Sequence, residues 1–143
     1  MSESETSSES SIKNAPEHDS GTTIAMVAEG LFLLNLFLLP VVSYVILALL
    51  YLRQRNHESR LARNHLKQAF YAAGISTALF LLSNLLILLY GGYHSVALLI
   101  AIEVYLVVVV TPFAIVGIFG LLKAMTQQDY RYPLIGKYLI EEE

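Results

Sequence analysis

The chain is 143 residues long, and 55% of its residues are hydrophobic while only 15% are charged. This composition is too apolar for an ordinary soluble domain of that size, so a lipid bilayer is the expected solvent. The absence of cysteine excludes disulfide bonds and thiolate metal sites, and the net charge of −3 hides an acidic N-terminal tail and a basic central loop.

The first 23 residues form a distinct segment that is rich in Ser and Glu and contains no aromatic residue. Such a composition cannot bury enough apolar surface to offset the entropy of ordering, so residues 1–23 are predicted to be a disordered acidic tail. The segment does not resemble a signal peptide, because a signal peptide begins with basic residues that lead directly into an apolar run. The first apolar segment is therefore expected to be retained.

Three long apolar segments follow the tail, over residues 24–52, 66–90 and 96–122. Each exceeds the roughly 20 residues that an α-helix needs to cross the hydrocarbon of a bilayer. Helices of a soluble bundle would keep a polar face, and residues 79–89 and 104–110 offer almost none. The sequence therefore predicts an all-α membrane protein with a three-helix transmembrane domain over residues 24–123, followed by a cytoplasmic, interfacial tail over residues 124–143.

The basic residues beside the spans predict their orientation. The loop at 91–95 carries no Lys or Arg, whereas the loop between the first two segments carries Arg53, Arg55, Arg60, Arg63 and Lys67. Basic loops stay in the cytoplasm, so we predict a multi-pass protein of the bacterial inner (plasma) membrane with its N-terminus outside and its C-terminus in the cytoplasm. In an alternative, Pro40 interrupts the first segment, which enters and leaves on one side and keeps both tails in the cytoplasm.

Glu103 is the sharpest single signal inside the spans. At about 1.5 Å per residue from the cytoplasmic ends, Asn35, Asn84 and Glu103 reach a similar depth and are predicted to form one polar layer in the outer half. An ionisable group there must be paired, protonated or facing water, so Glu103 could relay a proton or cation or contact a ligand. The plainer interpretation, which is favoured because no intramembrane Lys, Arg or second acid accompanies it, is a neutral or snorkelling acid near the outer interface.

Prolines and small residues indicate how the helices bend and pack. Pro40 and Pro112 lie near the predicted midplane, where two bends could open a shallow cavity. Small residues recur at three- and four-residue spacings, which lets helix backbones approach closely within one copy or between two. The candidates for such contacts are Gly74, Ala78, Gly117 and Gly120.

Enzymatic and metal-binding chemistry find little support in the sequence. There is no glycine-rich phosphate loop, no pair of acids at helical spacing and no HExxH helix. His57 and His65 lie eight residues apart in the basic loop, which fits no zinc pattern, so both are expected to be solvated loop histidines. We therefore expect no catalytic residue, no cofactor and no metal. The basic loop should attract anionic lipid and not nucleic acid, because no aromatic side chains are interleaved with its charges.

Two stretches carry a family resemblance. In LLKAMTQQDYRYPLIGKYL (121–139), the last helix ends in Lys-Ala, and a short polar turn leads into an aromatic-Arg-Tyr-Pro motif; in ARNHLKQAFYAAGIS (62–76), a His precedes an amphipathic turn. These features resemble bacterial small membrane proteins of a domain-of-unknown-function family related to the twenty-kilodalton Tic component of the chloroplast inner envelope. The matching residues are His65, Gln68, Ala69, Phe70, Ala124, Tyr130, Arg131, Tyr132 and Pro133.

The resemblance implies mainly architecture, because the bacterial members are largely uncharacterised, while the four-span plastid relatives take part in protein import. Within the motif, Tyr130, Tyr132 and Tyr138 are expected in the aromatic belt of the interface. Pro133 should force Tyr132 out of the helix, so that the following PLIGKYLI returns as an amphipathic segment on the inner surface.

Three functions are consistent with these features. The favoured one is a non-enzymatic accessory or assembly subunit of a larger inner-membrane complex, which contacts lipids and either a membrane-protein partner or a second copy. The second is an oligomeric channel or protein-translocation component like the plastid relatives. The third is a small transporter or enzyme that uses Glu103.

Overall fold

The computed structural model describes residues 15–90, 92–94, 96–133 and 135. Its helices are α1 (Ala15–Phe37), α2 (Pro40–Gln54), α3 (Arg60–Leu89), a 3-10 turn (Gly92–His94), α4 (Val96–Tyr105) and α5 (Thr111–Met125), with a π-helical turn (Leu106–Val110) joining α4 to α5. Three stretches are long and apolar enough to cross a membrane: Ser20–Phe37, Arg60–Leu89 and Leu98–Met125. The predicted all-α membrane fold with three such helices is therefore confirmed.

The first helix begins earlier than the sequence suggested. Residues 15–23, which were assigned to the disordered tail, are helical, while residues 1–14 lie outside the described part of the chain. The correction has a tertiary cause, since Thr22 is buried and Gly21 lies directly against the side chain of Ser59. Packing against the start of α3 thus stabilises a helical turn whose own composition is too polar to predict it.

The start of α3 also moves, from residue 66 to Arg60. The Ser59 hydroxyl accepts a hydrogen bond from the backbone N–H of Ala62 at 3.4 Å, which caps the helix at its first free donors. The basic loop is consequently short. The charged head groups of Arg53, Arg55, Arg60 and Arg63 are exposed around it, and we call this end of the bundle the basic end.

The predicted single span over 24–52 is instead a helical hairpin. Only Leu38 and Leu39 separate α1 from α2, and Pro40 opens α2. A proline suits a first helical turn because its ring fixes φ and its missing N–H would have had no partner there. The chain therefore ends one helix and starts another where a gentle bend was expected.

Contacts with α3 fix the direction of each hairpin arm. The α1 arm runs parallel to α3 and the α2 arm runs antiparallel to it. The pairs in contact are Glu29 with His65 and Asn35 with Thr77 for α1, and Pro40 with Thr77 and Tyr51 with Phe70 for α2. The hairpin tip consequently lies level with Thr77, 12 residues and about 18 Å short of the end of α3 at Leu89.

The packing of the last helix determines at which end of the bundle the chain enters and leaves. The last helix runs antiparallel to α1, because a Cβ on Gly117 would meet Phe32 and one on Gly120 would meet Glu29. The beginning of α1 and the end of α5 therefore both lie at the basic end. This arrangement of the described helices differs from a straight first span and resembles the alternative of a first segment that enters and leaves on one side.

The two prolines do not act as a pair. Pro112 follows the π-helical turn, in which the backbone N–H of Thr111 donates to the Leu106 carbonyl five residues back. A proline ring displaces the carbonyl of the preceding turn, which accounts for the wider turn at this place. A cavity of about 70 Å³ borders Pro112 and the C-terminal tail, but Pro40 does not line it.

Beyond the hairpin tip, the bundle thins. We call residues 78–89 of α3 together with α4 the distal half; within the described chain these helices pack on each other, with Phe80 edge-on to Tyr105 at 6.0 Å. Apart from Glu103, their exposed outer faces are mainly apolar, as expected for contact with lipid. The exposed side chains include Leu81, Leu82, Leu85, Leu88, Leu89, Val96, Leu99 and Ile100.

The hairpin makes a direct prediction about sidedness. Reporters fused before Met1 and after Glu143 should respond alike, because α1 begins and α5 ends at the basic end. In the cysteine-free chain, Asn56→Cys should react with a membrane-impermeant maleimide from that same side, and Tyr93→Cys from the opposite side. An N-terminal reporter that shares the side of Tyr93 would show that α1 and α2 do not form a hairpin in the membrane.

Candidate functional site

A buried polar cluster joins three distant parts of the chain near the basic end. Glu29 of α1 and His65 of α3 are both fully buried, and Oε1 of Glu29 lies 2.7 Å from Nδ1 of His65. The other carboxylate oxygen of Glu29 accepts a short hydrogen bond from the hydroxyl of Tyr132, which is only 3% exposed. The two oxygens of one acid therefore connect α1 to α3 and to the C-terminal tail.

The partners of His65 determine where its protons can lie. Nε2 is 3.1 Å from the Gln128 carbonyl oxygen, which can only accept, so Nε2 carries a hydrogen. Nδ1 and Glu29 then share one proton, as an imidazolium beside a carboxylate or as a neutral pair. Either form satisfies both groups, and removing one partner would leave the other buried and unpaired.

Gln68 extends the cluster, because its side-chain amide forms two hydrogen bonds with the backbone of the tail. Its Nε2 donates to the Tyr130 carbonyl at 2.8 Å, and its Oε1 accepts from the Tyr132 N–H at 2.7 Å. The side-chain amide thus satisfies a donor and an acceptor of an irregular segment that is folded into the protein. The tail is held in one register by this pairing, one turn of α3 after His65.

A turn at the end of α5 aims the tail back at the cluster. The Gln127 N–H donates to the Ala124 carbonyl and the Gln128 N–H to the Lys123 carbonyl, which together form a Schellman motif. Gln127 takes the left-handed conformation with φ 56°, where glycine is usual. The chain therefore reverses after Thr126 and brings the Gln128 carbonyl to His65.

Two glycines of α5 make room for the cluster. A Cβ on Gly120 would come within 2.6 to 2.8 Å of all three carboxyl atoms of Glu29, and one on Gly117 would approach Phe32 at 2.8 Å. Both are closer than real contacts allow. The small-residue face of α5 is thus used inside the protein, against α1.

Burial, together with the neighbouring acid, favours the protonated form of the two tail tyrosines. Burial, and then the charge of Glu29, raise the pKa of Tyr132 well above its usual range, and the same two causes raise the pKa of Tyr130. The Tyr132 hydroxyl therefore stays protonated and remains a donor to Glu29 at physiological pH.

Several sequence-based expectations are corrected here. His65 is a buried helical residue and not a solvated loop histidine, and Tyr132 is a core residue and not part of an interfacial belt. Glu29 was missed, although a lone acid inside an apolar segment was the signal that singled out Glu103. The motif residues that meet in the cluster are His65, Gln68, Tyr130 and Tyr132. Ala124 is fully buried, and Phe70 stacks between Tyr44 and Tyr51. Arg131 and Pro133 are exposed. Tyr138 and the rest of the expected amphipathic segment, residues 134 and 136–143, lie outside the described residues.

The structure does not bring Asn35, Asn84 and Glu103 together. Asn35 is buried and donates to Ser76 and Thr77 at 3.1 Å each. Asn84 lies two turns further along α3, where it bonds the Phe80 carbonyl and the Tyr93 hydroxyl. Glu103 is exposed on α4, and its side chain makes no hydrogen bond to the described residues.

The Asn35 cluster instead pins the hairpin tip. The Thr77 hydroxyl, which accepts from Asn35, lies 3.2 Å from the Pro40 carbonyl and can donate its single hydrogen to it. The first turn of α2 is therefore tied to a side chain of α3, directly after the point where the chain reverses.

Other predicted contacts have specific outcomes. A Cβ on Gly74 would meet the Tyr44 ring at 3.4 to 3.7 Å, so this glycine packs on α2, while Ala78 is exposed. No group of three or more His, Cys, Asp or Glu that could hold a metal occurs within the described ranges.

The space around Gly120 yields a matched pair of variants. Gly120→Ala should lower the free energy of unfolding by about 1–3 kcal/mol, because its methyl group must displace the Glu29 carboxylate. Gly30→Ala, one residue after Glu29, meets nothing within 4 Å and should stabilise α1 by about 0.5–1 kcal/mol. Detergent melting of the two variants beside wild type measures both. Equal effects would show that Glu29 does not occupy this position.

The polar residues of the spans give a second comparison. Asn35→Leu should destabilise the protein by about 0.6–1.7 kcal/mol for each hydrogen bond lost, whereas Glu103→Leu should leave thermal melting close to wild type. The same assay decides. If Glu103→Leu is the more damaging, Glu103 has a partner that the described contacts do not contain.

Comparison with known proteins places the chain in one family. A family model matches residues 20–139, a range that contains α1 from Ser20 onward, α2 to α5 and the cluster around Glu29. No curated protein and no solved structure gives a significant match. The family match supports the expected small bacterial membrane protein and contains no link to the Tic component. Because the matched range covers most of the sequence, the chain belongs to the magnetosome magnetite crystal formation protein family, MamF_MmsF.

Proposed function

We propose that this protein acts in the magnetosome membrane as a small, non-enzymatic accessory subunit in the formation of magnetite crystals. The family supports the membrane and the process. One observation supports the accessory role: the buried polar groups are used to fix the tail against the hairpin and α3, which creates a rigid surface at the basic end. A rigid surface on a small membrane protein suits the positioning of another protein.

The basic end is proposed to face the cytoplasm, together with both tails. Exposed Arg53, Arg55, Arg60 and Arg63 surround this end, and positive charge is retained on the cytoplasmic side. Arg60 and Asn64 also reach Asp129 of the tail at 4.0 and 3.3 Å. The locked tail and the basic loop thus form a continuous surface on which a partner can bind.

The other functions receive less support from the geometry. A channel or translocation component of the Tic type needs a polar path. The groove of about 360 Å³ between α3, α4 and the π-helical turn is lined mainly by Leu86, Ile87, Ile100, Val104 and Val108. A transporter that uses Glu103 needs that acid to face a partner or a substrate path, and it faces outward from α4.

The test uses a magnetite-forming bacterium that carries this chain. Deletion should change the size or number of magnetite crystals seen by electron microscopy, and the wild-type gene should restore them. A tagged chain purified in mild detergent should retain a second membrane protein. Unchanged crystals after deletion, or a chain that purifies alone, would refute the accessory role.

Two variants separate the proposed surface from the transporter alternative. Tyr132→Phe removes one donor to Glu29 and should loosen the tail, at a cost of about 1–3 kcal/mol for the unsatisfied acceptor, so partner recovery and crystal rescue should fall. Glu103→Gln should rescue fully. The opposite pattern, with Tyr132→Phe active and Glu103→Gln inactive at equal abundance, would favour transport.

A further inference from the structure

The outer faces of the hairpin are apolar and exposed, as a surface in contact with hydrocarbon would be. Every turn of α2 presents large apolar side chains away from the protein, and the tip residues Phe37, Leu38 and Leu39 are between 49% and 69% exposed. Such a surface would be unfavourable in water. The exposed residues of α2 are Val41, Val42, Val45, Ile46, Leu49 and Leu52.

The hairpin nevertheless stops partway through the thickness that α3 crosses. Its tip is level with Thr77, and the 12 residues of α3 beyond that level add about 18 Å. The hydrogen bonds from Asn35 to Thr77 and from Thr77 to the Pro40 carbonyl tie the end of α1 and the start of α2 to α3 at this level. The depth of the hairpin is therefore fixed by α3.

The protein consequently has different widths in the two leaflets. On the basic side of Thr77, the described chain contains α1, α2, α3 and α5 side by side, with the tail packed on α5. In the distal half, it contains α3 and α4. Since each helix with its side chains is about 10–12 Å across, the cross-section on the basic side is about twice that of the distal half.

We propose that this wedge shape makes the protein a sensor of membrane curvature that prefers bilayers whose convex leaflet holds the basic end. In a flat bilayer the wide half of the protein compresses the lipids of its own leaflet, while the lipids of the other leaflet must spread to fill the space beside the narrow half. Curving the bilayer outward on the wide side relieves both effects, as it does for shapes inserted into one leaflet. The partner is the lipid bilayer, recognised by its shape, and this proposal does not depend on the proposed accessory role.

The test measures the density of the full-length protein on curved and flat membrane at the same time. Labelled protein is reconstituted into giant vesicles of phosphatidylethanolamine and phosphatidylglycerol, and thin tubes are pulled from them. Proteolysis from outside assigns the orientation. With the basic end outward, the ratio of density on the tube to density on the vesicle should exceed one and rise as the tube narrows; with the basic end inward, it should fall below one.

The reversed orientation is the matched control, because only the direction of the wedge changes. A ratio of one in both orientations, or a shift of the same sign in both, would overturn the proposal. Repeating the measurement in neutral phosphatidylcholine separates shape from the attraction of the arginines to anionic lipid. Opposite shifts that persist there support the wedge, and their loss would refute it.

Discussion

The structure depends on the burial of one carboxyl group. Glu29 lies among helices where an unpaired charge would be costly. Its carboxylate bonds His65 and Tyr132 and occupies the space that the missing side chain of Gly120 leaves. Each of these comes from a different element. The position of α1 relative to α3, the approach of α5 and the course of the tail are all consequences of satisfying this acid.

A second, smaller cluster of polar side chains also joins separate helices, further from the basic end. Asn35 and Thr77 connect the two hairpin arms to α3 at the level where the backbone reverses. The two groups lie about two turns apart along α1 and make the basic side of the bundle rigid. In the distal half, α3 packs on α4 through apolar side chains such as Phe80 and Tyr105, and one hydrogen bond, from Tyr93 to Asn84, joins α3 to the 3-10 turn. Polar contacts therefore specify which helices pair, and apolar contacts fill the remaining volume.

The sequence predicted the fold class well and the arrangement poorly, for physical reasons. The length of an apolar run alone identifies helices that can cross a membrane, so the spans ending at Leu89 and Met125 could be predicted from the sequence. The reversal at Pro40 could be predicted only as an alternative, because a proline in a membrane helix can equally well bend it. Depth counted from a straight span placed Asn35 beside Glu103, and once the span folds back, that count loses its meaning.

Only part of the cluster around Glu29 could be predicted from the sequence. The resemblance drew attention to His65, Gln68 and Tyr132, but Glu29, the common partner of His65 and Tyr132, lies outside the motif. Nothing in linear spacing connects residues 29, 65 and 132. Long-range partners of this kind appear only in three dimensions. Gly120 illustrates the point: its spacing suggested a helix-packing face, and its actual role is to leave room for a carboxylate.

The separation of Glu29 and Tyr132 by 103 residues has a consequence for biogenesis. The acid is synthesised among the first residues of the hairpin, whereas the tyrosine leaves the ribosome only after every helix has been made. His65 arrives between them and can neutralise the acid as soon as α3 forms. Insertion should thus proceed through a partly bonded species in which the hairpin is already seated on α3, and docking of the tail completes the protein last.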